Sequence, residues 1–407
     1  MKSMHIVRAG VLLIAALFLF AACGEEEVAD DTVEFDLWTQ EGEAEGAYQF
    51  VESLAERYME ENENVTINVV QKGTEELRED FQTGAIAGEA PELLWTVNDH
   101  AGPFTEAGII QPIDDLYEVD DYIEPVVMNE EVYGMPVSSG NHLMLLYNKS
   151  MVEEAPEDTD EMISIAEEHT SGETYGLAYN MTEPFWLVPW LGGFDGSVFA
   201  EDGVTPTLDT PEMEDTLQFL HDLTHEHEIT PVEADYGTMD TLFKEGNAAM
   251  VINGDYSLSE YEEALGDDLG IAPLPTVSET GSDPKPYTSG KYFMMADTVE
   301  GDLRDAIGEF MNWATNEENQ LEMADELTRL PGLNSALEHE QITEDEVLSS
   351  SAEAMANGVP QPAAREMRAN WDAMLPSMNE VLADNVSPAD AAAEMQSVAE
   401  SAIEEMD

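Results

Sequence analysis

The chain has 407 residues, of which 89 are acidic and 13 are basic, so its formal charge at pH 7 is −76. This charge argues against nucleic-acid binding, which requires a basic face. The apolar content of 43% and the six Trp residues argue against a disordered acidic tail. A salt-rich habitat is the simplest explanation, because at about 1 M salt the Debye length falls to about 3 Å and surface carboxylates stop repelling one another. We therefore predict a fold that depends on salt.

Residues 1–22 have the pattern of an export signal. Two basic residues precede an apolar run over residues 11–20, and two alanines precede Cys23, the single cysteine of the chain. The apolar run is too short to span a bilayer, which needs about 20 residues. The pattern resembles a bacterial lipoprotein signal, which implies lipidation of Cys23 and an acidic tether over residues 23–32. The alternative is an ordinary signal peptide followed by an incidental thiol.

After the tether, strand patterns alternate with helix patterns. Apolar residues alternate with polar ones in VEFDLW, lie on one helical face in GAYQFVESLAERYM, and alternate again in VTINVV. A helix between two strands predicts a parallel crossover. Further elements are predicted as a helix over 75–87, a strand at PELLWT, a helix over 102–107 and a strand at HLMLLYN. The order predicts an α/β fold, and residues 23–407 are too many for one core, so we expect two domains.

The segments that follow strands are the candidate binding segments, because ligands in open α/β sheets lie beyond the carboxyl ends of the strands. These segments cover residues 38–45, 95–100 and 253–256. In the last, a short apolar strand over residues 248–252 leads into the turn Asn-Gly-Asp, which presents Tyr256 at the end of the strand. Tyr256 either faces a ligand or only packs against its neighbours, and this stretch alone leaves both possibilities open.

Five segments in order carry a resemblance to a known family: LLWTVNDHAGPFTEAGIIQPI, YGMPVSSGNHLMLLYNK, EPFWLVPWLGGFDG, FKEGNAAMVINGDY and EMRANWDAM. With them the chain resembles the extracellular sugar-binding proteins of ABC importers, close to the maltose/maltodextrin-binding group. The resemblance implies an α/β, periplasmic-binding-protein-like fold of two lobes with a hinge and an interlobe ligand cleft. The implied amino-terminal lobe is residues 33–139 plus 289–332, and the implied carboxyl-terminal lobe is residues 140–288 plus 333–407.

The same resemblance implies a function and partners. We expect a monomeric, non-enzymatic receptor that binds a neutral sugar or oligosaccharide and delivers it to the permease subunits of an ABC importer as the lobes close by hinge rotation. The receptor is expected to be exported and to touch the membrane only through its lipid anchor. It would lie at the outer face of the cell membrane, on the periplasmic side if an outer membrane is present. We expect neither a cofactor nor a metal.

The resemblance carries over six candidate binding residues: Asp99, Glu183, Phe185, Trp186, Tyr256 and Trp371. These residue types suit a sugar, because aromatic rings cover its C–H faces while carboxylates bond its rim of hydroxyl groups. For each aromatic residue the alternative is packing in the core. For Asp99 the alternative is a helix N-cap.

Three departures from the maltose group bear on the ligand. His100 lies where that group has Arg, and Asn141 lies where it has Glu. The first loop, TQEGEAEG, lacks the group's Lys, and Glu41 is our candidate for its polar contact. These differences keep a sugar plausible but open a second hypothesis, in which the same clamp binds a polyol or an organic cation. A third hypothesis is a surface lipoprotein that binds no ligand.

Rival chemistry has weaker support in the sequence. His221 and His225 are four residues apart with His227 nearby, a spacing compatible with zinc. We favour a solvated helix face, because acidic residues flank this group. No His-Glu-x-x-His, Gly-x-Ser-x-Gly or phosphate-binding glycine motif is present. Glycosidases that use a pair of carboxylates have no such sequence motif, so the absence of motifs does not exclude this class of enzyme.

Overall fold

The computed structural model describes residues 32–42, 46–232 and 234–406. The predicted export signal, Cys23 and the tether up to residue 31 lie outside these described residues. Within them, no helix combines the length and the apolar character that crossing a bilayer requires.

The described strands include every strand that the alternating patterns predict. The strands are β1 (Val33–Thr39), β2 (Val65–Gln71), β3 (Leu93–Thr96), β4 (Val126–Met128), β5 (Glu131–Gly140), β6 (Leu143–Asn148), β7 (Tyr175–Ala178), β8 (Ala248–Gly254), β9 (Leu269–Ala272), β10 (Tyr287–Met295), β11 (Leu330–Pro331) and β12 (Val359–Pro360). Predicted and observed bounds differ by at most two residues for the strands predicted from the sequence.

The described helices flank these strands. They are α1 (Ala47–Glu61), α2 (Thr74–Ala87), α3 (Ala101–Ala107), α4 (Thr159–His169), α5 (Val188–Gly193), α6 (Pro211–His225), α7 (Tyr236–Lys244), α8 (Leu258–Leu265), α9 (Gly301–Ala314), α10 (Glu317–Leu327), α11 (Asn334–Leu337), α12 (Glu340–Thr343), α13 (Glu346–Met355), α14 (Glu366–Leu382) and α15 (Pro388–Met406). The helices predicted over 75–87 and 102–107 correspond to α2 and α3. Together, strands and helices form the predicted α/β fold.

The first sheet has the strand order β11-β5-β10-β3-β1-β2, with β4 beside β5 and β12 beside β10. β1 pairs with β2 in parallel, with Phe35 opposite Ile67, as the strand–helix–strand pattern predicts. β10 enters this sheet antiparallel to β3 and β5, although it lies far along the chain. The apolar face of α1 and Phe310 of α9 pack against the sheet in one core.

The second sheet has the strand order β7-β8-β6-β9 and a separate core. β8 is buried along its whole length, because β6 and β7 flank it and helices cover it, which explains its uninterrupted apolar sequence. Met374 of α14 and Met395 of α15 belong to this core, so the end of the chain packs with the second sheet. Two sheets with two cores define two lobes.

The chain first passes between the sheets at the junction of β5 and β6. Gly140 has a φ of 131°, and a Cβ atom there would lie 2.1 Å from Asp255 Oδ2, so only glycine fits. Asn141 follows with a φ of 51°, a left-handed conformation that Asn tolerates better than most residues. The lobe boundaries given by the resemblance stay a prediction. The turn at Gly140 and Asn141 lies next to the boundary predicted between residues 139 and 140.

Candidate functional site

A cavity of about 530 Å³ lies between the two lobes. Eight of the nine candidate binding residues line it: Asp99, His100, Asn141, Glu183, Phe185, Trp186, Tyr256 and Trp371. Asp99 and His100 follow β3 of the first sheet, whereas Tyr256 follows β8 of the second. Residues far apart in the sequence therefore meet because their strands end at the same gap.

Aromatic rings form one side of the cavity. Trp371, on α14, is half-buried, and its ring centroid lies 6.4 Å from that of Phe185 and 6.2 Å from that of Tyr287. Phe185 in turn lies 5.7 Å from Trp186 at an angle of 75°. The tilted packing holds the rings in place while it leaves the half-buried faces of Phe185 and Trp371 toward the cavity.

Trp186 is mainly a core residue. Its side chain is buried, and its indole Nε1–H donates to the Ile252 carbonyl at 2.9 Å. Both the surface of its ring and its single hydrogen-bond donor are therefore engaged within the protein. Trp186 borders the cavity and supports Phe185, so core packing accounts for most of its surface.

Tyr256 lies in the turn directly after β8, and the position of its ring depends on a glycine. A Cβ atom on Gly254 would lie 2.3 Å from Cε1 of Tyr256, so the ring occupies the space that the missing side chain leaves. Burial raises the pKa of the Tyr256 hydroxyl well above its usual value. The phenol therefore stays protonated and can both donate and accept hydrogen bonds.

Asp99 is the most perturbed carboxyl group in the cavity. Its Oδ1 is buried and has no hydrogen-bond partner among the described residues. Burial, reinforced by the nearby Glu75, raises the pKa of Asp99 to about 6. No side chain caps α3, so the alternative role as a helix N-cap is not what the structure shows. Asp99 thus contributes to the cavity wall a carboxyl group with one oxygen to which no described residue donates.

His100 is held as a neutral ring by a short network. The Thr96 hydroxyl lies 2.9 Å from Gln40 Oε1 and 2.8 Å from His100 Nδ1. Because the hydroxyl has one proton and gives it to Gln40, the imidazole carries its own proton on Nδ1 and keeps Nε2 as an acceptor. Burial lowers the pKa of His100 to about 3, so the ring is uncharged at neutral pH.

Asn141 and Glu183 border the cavity from the second lobe. Asn141 is half-buried at the junction between β5 and β6. Glu183 is exposed, and its Oε1 accepts a 3.0 Å hydrogen bond from Asn180 Nδ2. This bond leaves lone pairs of the Glu183 carboxylate for other donors.

Glu41 is the candidate that the structure places elsewhere. It does not line the cavity, and only 3% of its surface is exposed. Both carboxylate oxygens accept from Arg329 Nη1 at 2.8 Å, and Oε1 also accepts from Trp95 Nε1 at 2.9 Å. The expected polar contact of Glu41 with a ligand is therefore corrected: the carboxylate is buried and paired with Arg329, whereas the neighbouring Gln40 lines the cavity.

Reasoning from sequence missed four basic residues of the cavity wall: Arg78, Lys291, Arg365 and Arg368. They balance four acidic residues in the same wall: Glu75, Asp99, Glu183 and Asp372. The chain has 13 basic residues, of which Lys2 and Arg8 fall outside the described residues, so about a third of the remainder meet here. The scarcity of basic residues in so acidic a chain could have marked these four as candidates for the binding site.

Two of these arginines also connect α14 to helices of the first lobe. Arg368 Nη1 lies 3.3 Å from Glu75 Oε2 on α2, and Arg365 pairs with Glu106 on α3. Near the second pair, a Cβ atom on Gly102 would lie 2.2 Å from the Ala363 carbonyl oxygen, so the backbones approach closely. The lobes are therefore in direct contact along one edge of the cavity.

The histidine group does not form a metal site. No group of three or more His, Cys, Asp or Glu side chains suited to a metal ion exists within the described parts of the chain. The rings of His221 and His225 stack at 4.4 Å, and His225 Nε2 lies 2.8 Å from the Leu382 carbonyl oxygen. His227 Nδ1 lies 3.0 Å from Glu167 Oε1. These contacts belong to the packing of α6 against its neighbours.

Comparison with known proteins assigns the family. Residues 53–349 match the bacterial extracellular solute-binding protein family. The chain is 29% identical over 349 residues to a maltotriose-binding protein of Pyrococcus abyssi, which covers 83% of this chain and 75% of that protein. It is 34% identical to the maltose/maltodextrin-binding domain MalE of Bdellovibrio bacteriovorus bound to maltotriose, with a TM-score of 0.85 over 91% of this chain and all of that one.

A second solved structure agrees in fold. The maltotriose-binding protein of Thermus thermophilus has a TM-score of 0.82 over 91% of this chain, at 24% identity, which concerns the fold alone. The chain thus has the two-lobed fold of these binding proteins. It belongs to the bacterial extracellular solute-binding protein family.

Proposed function

We propose that this protein is an extracellular receptor that binds a neutral sugar or oligosaccharide of the maltodextrin type and delivers it to an ABC importer. The observation that carries the proposal is an interlobe cavity whose wall combines half-buried aromatic rings with half-buried and exposed carboxylates. Phe185 and Trp371 would cover the C–H faces of a sugar, while Asp99 and Glu183 would accept hydrogen bonds from its hydroxyls. The names of the similar proteins from Pyrococcus and Bdellovibrio support this class of ligand.

The balance of charge favours a neutral ligand over an organic cation. The wall contains as many basic as acidic residues, in a chain whose formal charge is −76. A cation site would be expected to keep acids in excess, as the rest of the surface does. A neutral polyol stays the closest alternative, because it would use the carboxylates but have less apolar surface to place against Trp371.

Delivery would require the lobes to move about their crossings. The left-handed turn at Gly140 and Asn141 is a candidate hinge, because a few residues with unusual backbone angles can absorb such a rotation. Small-angle scattering with and without maltotriose tests this step. A radius of gyration that decreases on addition of the sugar supports closure, whereas no compaction with any sugar favours a surface lipoprotein without a ligand.

We also propose that Cys23 carries the lipid that anchors the receptor outside the cell. The proposal depends on the apolar run over residues 11–20 and on the cysteine directly after small residues. Expression in a bacterium with a labelled fatty acid tests it, with Cys23→Ser as the control. Label on the wild type but not on the variant supports the anchor, and secretion of unlabelled wild-type protein contradicts it.

Calorimetry in molar NaCl against maltose, maltotriose, cellobiose and a polyol tests the ligand class. Trp371→Leu should weaken maltotriose binding by about tenfold, since the loss of one aromatic contact of about 1.4 kcal/mol changes affinity by that factor. The matched control is Trp313→Leu, because Trp313 packs against Tyr58 at 5.2 Å in the first core and does not line the cavity. Absence of binding to every sugar by the wild type would refute the proposal.

The same preparation distinguishes a receptor from a glycosidase. Maltooligosaccharides incubated with the protein should be recovered unchanged in length. Released glucose or shortened oligomers would instead favour the enzyme with paired carboxylates that the sequence leaves open.

A further inference from the structure

Basic residues are concentrated at the cavity, and one of them differs from the others in its setting. Arg78 donates to Glu75 at 3.0 and 3.1 Å, and Arg368 donates to Asp372 at 3.1 Å. Arg365 pairs with Glu106 and Glu366. These three arginines lie on or beside helices and are each paired with nearby carboxylates. The remaining basic residue, Lys291, lies on a central strand of the first sheet.

The backbone of β10 is shaped around Lys291. The register between β10 and β5 shifts between Lys291 and Tyr292, and such an irregularity redirects the side chains beside it. Directly before it, a Cβ atom on Gly290 would lie 1.8 Å from the Ser138 carbonyl oxygen, so the two strands approach more closely than any other residue would allow. Lys291 N also donates to Ser138 Oγ at 3.2 Å. The strand is thus fixed on both sides of the position that lines the cavity.

The Lys291 ammonium lies within electrostatic range of three titratable groups, two of which line the cavity. It acts on the carboxylates of Asp99 and Glu41 and on the imidazole of His100. Glu41 lies outside the cavity wall and is paired with Arg329, and His100 is neutral. Asp99 is the carboxyl group of the cavity wall on which Lys291 acts, and its Oδ1 has no hydrogen-bond partner among the described residues.

We propose that Lys291 contacts the ligand and determines its specificity. Its ammonium group donates to one sugar hydroxyl, and Asp99 accepts from the neighbouring hydroxyl. This inference rests on the proposed function. An ammonium donor beside a carboxylate acceptor engages two neighbouring hydroxyls of one sugar ring, so the pair selects a ligand with both hydroxyls in place. Lys291 would supply this donor from β10, whereas the loop TQEGEAEG after β1 has no Lys.

The proposal predicts an effect on pH dependence as well as on affinity. The charged groups that face Asp99 are Glu75 on α2, Lys291 on β10 and Arg368 on α14. Glu75 disfavours the ionised carboxylate, while Lys291 and Arg368 favour it. Removing Lys291 should therefore raise the pH at which Asp99 ionises, and binding should be lost at a higher pH than in the wild type.

The test is calorimetric titration with maltotriose between pH 5 and pH 8 in molar NaCl. Lys291→Met should weaken binding at least tenfold at pH 7 and move the midpoint of the pH profile upward, while Lys291→Arg should retain part of the affinity. Asp99→Asn should also weaken binding. In the double variant the two losses should not multiply, because both residues act on the same part of the ligand.

The matched control is Lys149→Met, since Lys149 forms a surface pair with Glu346 at 2.8 Å and does not line the cavity. If Lys291→Met fails to fold by circular dichroism, Lys291→Gln takes its place. Binding by the variant within twofold of the wild type, with an unchanged pH midpoint, overturns the inference while leaving the receptor function intact. Absence of maltotriose binding by the wild type would instead refute the proposed function.

Discussion

The buried ion pair between Glu41 and Arg329 provides the sharpest test of how the first lobe is held together. The two side chains are 3% and 6% exposed, and they lie 288 residues apart in the sequence. Glu41→Gln keeps the shape of the side chain but removes the negative charge that faces the guanidinium. The pair joins the loop after β1 to the segment before β11, so we expect the change to destabilise the whole lobe.

The expected loss follows from the bonds that Glu41 makes. Its carboxylate accepts two 2.8 Å bonds from Arg329 and one of 2.9 Å from Trp95. Removing one member of a buried pair destabilises a protein by about 3–5 kcal/mol, because the other charge stays desolvated. The Trp95 bond can persist with the amide oxygen of Gln. We therefore predict a decrease of about 3 kcal/mol in the free energy of unfolding.

The dependence on pH has a definite sign. Burial alone would raise the pKa of Glu41, but Arg329, Lys291 and the hydrogen bonds outweigh it and hold the pKa below its usual range. A carboxyl group with a lowered folded pKa contributes its stabilisation above the unfolded value of about 4.3 and loses it as the pH falls through the folded value. The difference between the wild type and Glu41→Gln should therefore be full at pH 7 and shrink in acid below pH 4.

Urea unfolding at constant high salt, followed by tryptophan fluorescence, measures this difference. The double variant Glu41→Gln/Arg329→Met should be more stable than Glu41→Gln alone, because it no longer buries an uncompensated cation. A single variant within 1 kcal/mol of the wild type at pH 7, or a double variant that is less stable than the single one, would refute this reasoning.

Three further predictions address the cavity and the surface. The pKa of Asp99 is raised to about 6, so the charge on this carboxyl group destabilises the folded protein as the pH rises above 4. Asp99→Asn should therefore increase the free energy of unfolding at pH 7 while it weakens sugar binding. A variant that is less stable than the wild type would contradict this sign. Arg368→Met removes a 3.3 Å ion pair with Glu75 between two exposed side chains, which should be weak and screened by salt. Calorimetry should therefore find maltotriose affinity reduced by less than about fivefold in dilute buffer and unchanged in molar NaCl. A larger loss that persists in molar NaCl would contradict this reasoning. The melting temperature should rise between dilute buffer and molar NaCl, because salt screens the repulsion among 89 acidic residues, and an unchanged value would contradict the salt-dependent fold.

The sequence alone determined the local elements of this protein. Alternation in VEFDLW and VTINVV predicts β1 and β2, and the apolar residues of α1 fall on its buried face. Gly246 ends α7 with a φ of 73°, as the left-handed C-terminal position requires. These features follow from backbone geometry and side-chain periodicity, which act over a few residues and are visible in any short window.

The sequence also located most of the candidate cavity, because strand ends are local features and the resemblance to sugar-binding proteins supplied the residue types. Asp99 and Tyr256 follow strand ends, Glu183 and Trp371 were supplied by the resemblance, and all four line the cavity. Whether each candidate side chain contacts the cavity or is engaged in the core could not be read from the sequence in the same way. Trp186, for example, was a candidate like Phe185, but its indole is used by the Ile252 carbonyl within the core.

Only the tertiary structure decided which charges meet. Glu41 was a plausible ligand contact in its loop, yet Arg329 comes back beside it through β11 and turns it into a buried structural group. Lys291 became a cavity residue because β10 returns to the first sheet between β3 and β5. Such pairings depend on the order of strands in a sheet, which brings together residues separated by most of the chain, and no short stretch of sequence contains that information.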